Sequence, residues 1–158
     1  MSSKANQSRI SNLKPQNHAN QLYLEVQANL EMARILRSFL DIFWDSFVPS
    51  KDKEKFILAF DEAFTNAVKY GSKKSSKVRI NIQGEKNYLS FRVEDEGALK
   101  KIKAKEILNN SKNLPDKLRK GQRGISILIP SLCSGFKIEN NEWGGISIEA
   151  WKESEARS

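Results

Sequence analysis

The sequence predicts a layered α/β sandwich of the α+β kind, in which helices cover a sheet whose strands are joined by hairpins. Three observations predict it. Five segments alternate apolar and polar residues, at 21–27, 77–84, 88–95, 135–140 and 144–152. Two segments, 29–47 and 51–70, repeat apolar residues at helical spacing, and 123–134 is an apolar stretch between glycines. Short turns, rather than helical crossovers, join the second strand to the third and the fourth to the fifth. The order is therefore β-α-α-β-β-loop-α-β-β, without an internal repeat.

Each element has its own signal. QLYLEVQ alternates and reads as a half-buried strand. Leu30, Ala33, Leu36, Leu40 and Phe43/Trp44 form the stripe of the first helix, stopped by Pro49-Ser50. Ser50 reads as the N-cap of the second helix, with Glu54 near the capping-box position, and Gly71 as its C′ residue. In that helix Phe56, Phe60, Phe64 and Ala67 make the core stripe. KVRINIQG and YLSFRVED form a hairpin around Gly84-Glu85-Lys86-Asn87. Asn109-Asn110-Ser111 and Pro115 interrupt the segment that follows. Arg123 to Ser134 reads as a third, buried helix, and GFKIEN and GGISIEAWK as a last strand pair around Asn141-Glu142-Trp143.

Composition narrows the function classes. Hydrophobic residues at 39% and charged residues at 29% suit a packed core with a solvated surface. No apolar run approaches the roughly 18 residues that cross a membrane. Residues 1–19 are polar, lack the apolar centre of a signal peptide and read as a disordered tail, and 154–158 form a second, short tail; the expected address is cytoplasmic. The net charge of +8 is local: residues 100–123 hold nine bases and two acids, whereas residues 21–99 carry twelve of each sign. A basic loop suits a polyanionic ligand, nucleotide phosphate or nucleic acid. It lacks the interleaved aromatics that stack on bases, so direct nucleic-acid binding is not expected. The single cysteine, Cys133, reads as a small buried hydrophobe. Trp143 in its turn reads as an exposed contact residue, and Arg37 as solvated or facing a partner.

Three groups can carry chemistry. Glu62 and Asn66 stand four apart on one face of the second helix, with Lys69 a turn further on. A carboxylate can take a proton from a nucleophile, an amide oxygen is a hard ligand that suits Mg²⁺, and a cation favours phosphate. Asp95, at the mouth of a strand and followed by Gly97, can present a carboxylate to an amino group. Gly121-Gln122-Arg123-Gly124 before an apolar helix offers free N–H groups and a positive dipole end to phosphate.

In this order the three groups resemble the asparagine box and the two glycine boxes of GHKL ATPases. EAFTNAVKYG, VEDEG, RGISILIPSLCSGFKIEN-NEWGGISIEAWK and LRSFLDIF are similar to the stand-alone anti-sigma-factor serine kinases, over about residues 21–152. The resemblance implies a Bergerat-type two-layer sandwich over residues 20–153, with a five-stranded, mixed but mainly antiparallel sheet, three main helices on one face and a lid at about 99–122. It implies ATP and Mg²⁺ as cofactors. Asp95 would accept the adenine amino group and Gly97 would let the backbone turn beside it. Asn66 would coordinate Mg²⁺, while Lys69, Arg123 and Gly124 would lie at the nucleotide, and Glu62 would be the general base toward a protein serine. The implied partners are an anti-anti-sigma-factor protein, a sigma factor and a second copy of the chain through the sheet. The sequence departs from the pattern at Leu99, where a second glycine is usual, and at Ser126, where glycine is frequent. Leu99 favours the alternative, a non-catalytic nucleotide-binding or docking module. The only histidine, His18, lies in the polar tail, which argues against an autophosphorylating histidine kinase.

Overall fold

A computed structural model describes residues 20–73, 76–97 and 128–155 of the chain. The strands are β1 (Asn20–Gln27), β2 (Lys77–Glu85), β3 (Tyr88–Glu94), β4 (Gly135–Asn140) and β5 (Ile146–Glu153). The helices are α1 (Glu31–Phe43), α2 (Ser50–Tyr70) and a short α3 (Ile129–Leu132). One five-stranded sheet runs β1-β2-β3-β5-β4. Every neighbouring pair is antiparallel, so the parallel component of the expected mixed sheet does not occur among the described residues.

Alternation along the strands sorts the sheet into two faces. Leu24, Ile80, Val93, Ile148 and Ile138 lie in one cross-strand row, and Leu22, Ile82, Phe91, Ala150 and Phe136 in the next. These rows face the helices. Phe56 and Phe60 of α2 meet Phe91 at ring-centroid distances of 5.0 and 5.4 Å. Trp44, fully buried, packs 4.9 Å from Phe56, and its indole N–H donates to the Gln83 carbonyl at 3.0 Å. α1 packs on α2, and α2 on β3, β5 and α3, which makes two layers. The other face of the sheet is polar, with ion pairs Lys77–Glu25, Arg92–Glu94 and Lys137–Glu139 at 2.9, 2.8 and 2.7 Å.

Several local expectations are corrected. α1 ends at Phe43, and residues 44–47 turn back so that Trp44 and Phe47 point into the core instead of continuing the helix. Pro49 is the N-cap of α2 and Ser50 its first residue, with no side-chain capping bond, so the box with Glu54 does not form. The α1–α2 corner is instead held by Lys53, whose buried ammonium reaches the Asp41 and Asp45 carboxylates at 2.9 and 2.7 Å. Gly71 caps α2 with φ −101°, an ordinary right-handed value, so a left-handed turn is not its purpose. Trp143 is half-buried, with the Arg79 guanidinium over its ring. The lid at 99–122, Arg123, Gly124, Ser126 and most of the expected third helix lie outside the described residues. Among the described residues, no helix is long and apolar enough to cross a membrane.

Candidate nucleotide site

Helical geometry brings Glu62 and Asn66 onto the same side of α2. There Asn66 Nδ2 donates to Glu62 Oε1 at 3.0 Å. Asn66 is 4% exposed, so its amide is a buried polar group whose donor is satisfied by this bond. With Nδ2 directed at Glu62, Oδ1 is the atom left to ligate a cation. Burial pushes the Glu62 carboxyl above its ordinary value, and the neighbouring Asp61 charge acts in the same direction. The Asn66 bond and the Lys69 charge oppose this rise without cancelling it. Lys69 itself is exposed.

At the end of α2 stands Asp95, 6% exposed. Its Oδ1 accepts two backbone N–H bonds, from Gly97 at 3.0 Å and Ile146 at 3.1 Å. Its own N–H donates to the Ile146 carbonyl at 3.1 Å, which continues the β3–β5 pairing one step past the strand. None of the ion pairs among the described residues includes Asp95. Desolvation therefore outweighs the two N–H bonds and the carboxyl is pushed up to about 6.

Two glycines make room for this carboxylate, and a third turns the chain beside it. A Cβ on Gly71 would collide with Oδ2 and Cγ of Asp95, which explains a glycine at a cap whose φ any residue could adopt. A Cβ on Gly145 would strike the Asp95 carbonyl, Oδ1 and the Gly97 nitrogen. Gly97 has φ +84°, a conformation that L side chains rarely adopt, and it turns the chain directly after the aspartate. Among the described residues Oδ2 receives no hydrogen bond, and it lies against the Gly71 end of the helix. At 1.5 Å per residue, Gly71 stands roughly 7–8 Å along the α2 axis from Asn66.

The structure thus joins Glu62 to Asn66 directly, Asp95 to Gly97 directly, and the two pairs through α2. Reading the sequence missed Gly71 as a contact of Asp95, and it missed Asn141, Gly145 and the Ile146 backbone. The only local signal for these was the Gly144-Gly145 pair ahead of a strand. A separate groove of about 480 Å³ lies on the polar face of the sheet, lined by residues including Arg79, Arg92, Glu94 and Trp143. Its arginines are already paired with acids or stacked on the tryptophan. It does not include Glu62, Asn66 or Asp95. Cys133 is half-buried, and burial pushes its thiol up to about 12, so it stays protonated and unreactive.

A buried carboxylate in a glycine-lined recess, at the end of a helix that also carries a Glu–Asn pair, over an antiparallel sheet, defines an α+β nucleotide-binding sandwich. Comparison of the sequence with family profiles narrows the class: residues 26–146 match the histidine kinase-like ATPase domain, and the chain belongs to that family. Membership implies a site for ATP. Among solved structures, the chain is similar to that of the RsbU and RsbW domains of Rv1364c from Mycobacterium tuberculosis, with a TM-score of 0.59 and 16% identity. The likeness covers 85% of this chain and 32% of that one, and at this identity it is a likeness of fold. No curated protein matches the chain.

Proposed function

We propose that the chain is an ATP-binding anti-sigma-factor serine kinase, which phosphorylates an anti-anti-sigma-factor protein and sequesters a sigma factor while that antagonist is phosphorylated. The observation that carries this reading is the bonded Glu62–Asn66 pair on the helix that ends against Asp95. A site for nucleotide binding alone has no need of a half-buried carboxylate with a raised pKa beside the metal-binding amide. The fold shared with a structure that contains an RsbW domain is in keeping with it.

The roles follow from the atoms. Asp95 Oδ2, beside Gly71, accepts the adenine amino group, while Oδ1 stays bonded to Gly97 and Ile146. Asn66 keeps its Nδ2 on Glu62 and offers Oδ1 to Mg²⁺, a hard oxygen for a hard cation. Glu62 Oε1 is held by that amide, and Oε2 takes the proton from the substrate serine. Lys69 adds positive charge on the same helix face, and the same proposal assigns Arg123 and Gly124, which lie outside the described residues, to the phosphates. Mg²⁺–ATP, when bound, supplies the phosphoryl group and neutralises its charge. Pairing of two copies through the sheet belongs to the same proposal; the face involved is polar and rich in ion pairs.

Titration calorimetry with ATP and Mg²⁺ tests the reading. The wild type binds; Asn66→Ala weakens binding when Mg²⁺ is present and has little effect without it. Transfer is then read as phosphoserine on an anti-anti-sigma-factor protein. Absence of binding at millimolar ATP refutes the kinase and leaves the docking module that Leu99 favours.

A further inference from the structure

The turn between β4 and β5 is organised around one side chain. Asn141 Oδ1 accepts from the backbone N–H groups of Trp143 at 3.0 Å and Gly145 at 2.9 Å. The Asn141 N–H donates to the Gly145 carbonyl at 2.9 Å, closing the turn. The remaining polar atom of the side chain points away from the turn: Nδ2 donates to the Asp95 carbonyl at 2.8 Å. That bond joins two residues 46 apart in sequence. It is the only side-chain bond among the described residues that reaches the Asp95 backbone.

The turn is also what delivers the N–H of Ile146 to Asp95 Oδ1 at 3.1 Å. Gly145, just before it, packs so closely that a Cβ there would strike both the carbonyl and the carboxylate of Asp95. The turn and the aspartate therefore move as one piece, and Asn141 is the side chain bonded to both. If its amide is lost, the Asp95 N–H to Ile146 carbonyl bond alone ties the two backbones, the turn loosens around it and the Ile146 N–H to Oδ1 bond lengthens. Oδ1 then keeps only the Gly97 N–H, and the carboxylate is free to rotate.

We propose that Asn141 is a positioning residue for base selectivity: its amide ties the β4–β5 turn to Asp95 and so fixes the carboxylate that reads the amino group of adenine. The proposal rests on the reading of Asp95 as the adenine acceptor. It adds a residue whose contact with the nucleotide is indirect, and its signature is accordingly a change in discrimination rather than in affinity alone.

The test is calorimetry with two ligands, ATP and purine riboside 5′-triphosphate, in which hydrogen replaces the 6-amino group. The wild type binds ATP about tenfold or more tightly than the analogue, because only ATP satisfies the buried carboxylate. In Asn141→Ala the preference falls toward unity, through weaker ATP binding with the analogue little changed. Asn141→Asp keeps an acceptor for the N–H groups of the turn, replaces the Nδ2 donor by a carboxylate oxygen that repels the Asp95 carbonyl, and loses the preference too. Thermal unfolding of both variants checks the fold, and the aspartate variant carries the test if the alanine variant does not fold. Variants that weaken both ligands equally and keep the wild-type ratio overturn the proposal. A wild type that binds both ligands equally overturns the reading of Asp95, and the proposal with it; that result is visible before any variant is made.

Discussion

Replacing Asp95 by asparagine separates the cost of the site from its use. The carboxyl is 6% exposed and lacks an ion-pair partner among the described residues, and its pKa rises from 3.8 to about 6. That shift of roughly two units, at 1.36 kcal/mol each, means that ionised Asp95 costs the folded protein about 3 kcal/mol, to order of magnitude. The sign follows from the folded state holding the proton more tightly than the unfolded one. The cost is absent below the unfolded value near 4, grows as pH rises toward about 6, and is constant above it. The substituted amide would keep an Oδ1 acceptor for Gly97 and Ile146 but carry no charge. Asp95→Asn is therefore more stable than the wild type at pH 8, by up to about 3 kcal/mol or roughly 10 °C in melting temperature. The advantage shrinks toward zero at pH 4. Glu62, also raised, titrates in both proteins and cancels in the difference. The same variant loses ATP affinity by at least about tenfold, since an amide donor then faces an amino donor. The assays are thermal unfolding of the ligand-free proteins from pH 4 to pH 8 and ATP calorimetry at pH 8. A stability difference that does not change with pH, or a less stable variant at pH 8, refutes the argument.

Other perturbations address the remaining parts of the site and the core. Gly71→Ala places a methyl group against the Asp95 carboxylate without straining the cap backbone, so ATP affinity falls by at least about tenfold; unchanged affinity by calorimetry would mean that Asp95 is not the base reader. On the proposed roles, Glu62→Gln retains ATP binding and lowers phosphoryl transfer about 10²–10⁴-fold, and wild-type transfer weakens on acidification because both Glu62 and Asp95 would be needed as ionised acceptors. Phe60→Ala removes a ring packed against Trp44, Phe64 and Phe91 and costs about 3–5 kcal/mol, measured as a shift of the urea midpoint at unchanged slope.

The sheet was legible because each strand repeats one simple instruction over six to nine residues. In β2 every second residue from Val78 to Gly84 is buried, and the partner rows in β3 and β5 follow from the same period. α1 and α2 were legible from their stripes, but their ends were not. The choice of Pro49 over Ser50 as cap, and the turn after Phe43, depend on Trp44 and Lys53 finding partners in other elements. Glu62, Asn66, Asp95 and Gly97 could be singled out because helical spacing and an acid-glycine turn are local patterns. Gly71 reads in sequence as a helix terminator. Its actual constraint is Asp95, which lies 24 positions further along the chain. Asn141 in sequence is only a turn former, and its bond to Asp95 appears only once β5 pairs with β3.

The proposed base end of the site is therefore pre-set by strands and a helix cap, and this changes how its cost should be read. A carboxylate free to rotate would lose rotamer freedom on binding and would weaken discrimination against other bases. Asp95 has already lost that freedom, through two N–H bonds on one oxygen and the close packing of Gly71 and Gly145 against it. Among the described residues Oδ2 receives no hydrogen bond, and on the proposed reading a ligand amino group would offset part of the roughly 3 kcal/mol that burial takes from stability. Selectivity for adenine would then come from an acceptor fixed in advance more than from added contacts. The proposed phosphate end differs: Glu62 and Asn66 bond to each other, so on that proposal Mg²⁺–ATP would be accommodated around an existing pair. A mutation at Gly71, Asn141 or Gly145 should accordingly change which base is bound. A mutation at Glu62 or Asn66 should change what is done with the phosphate.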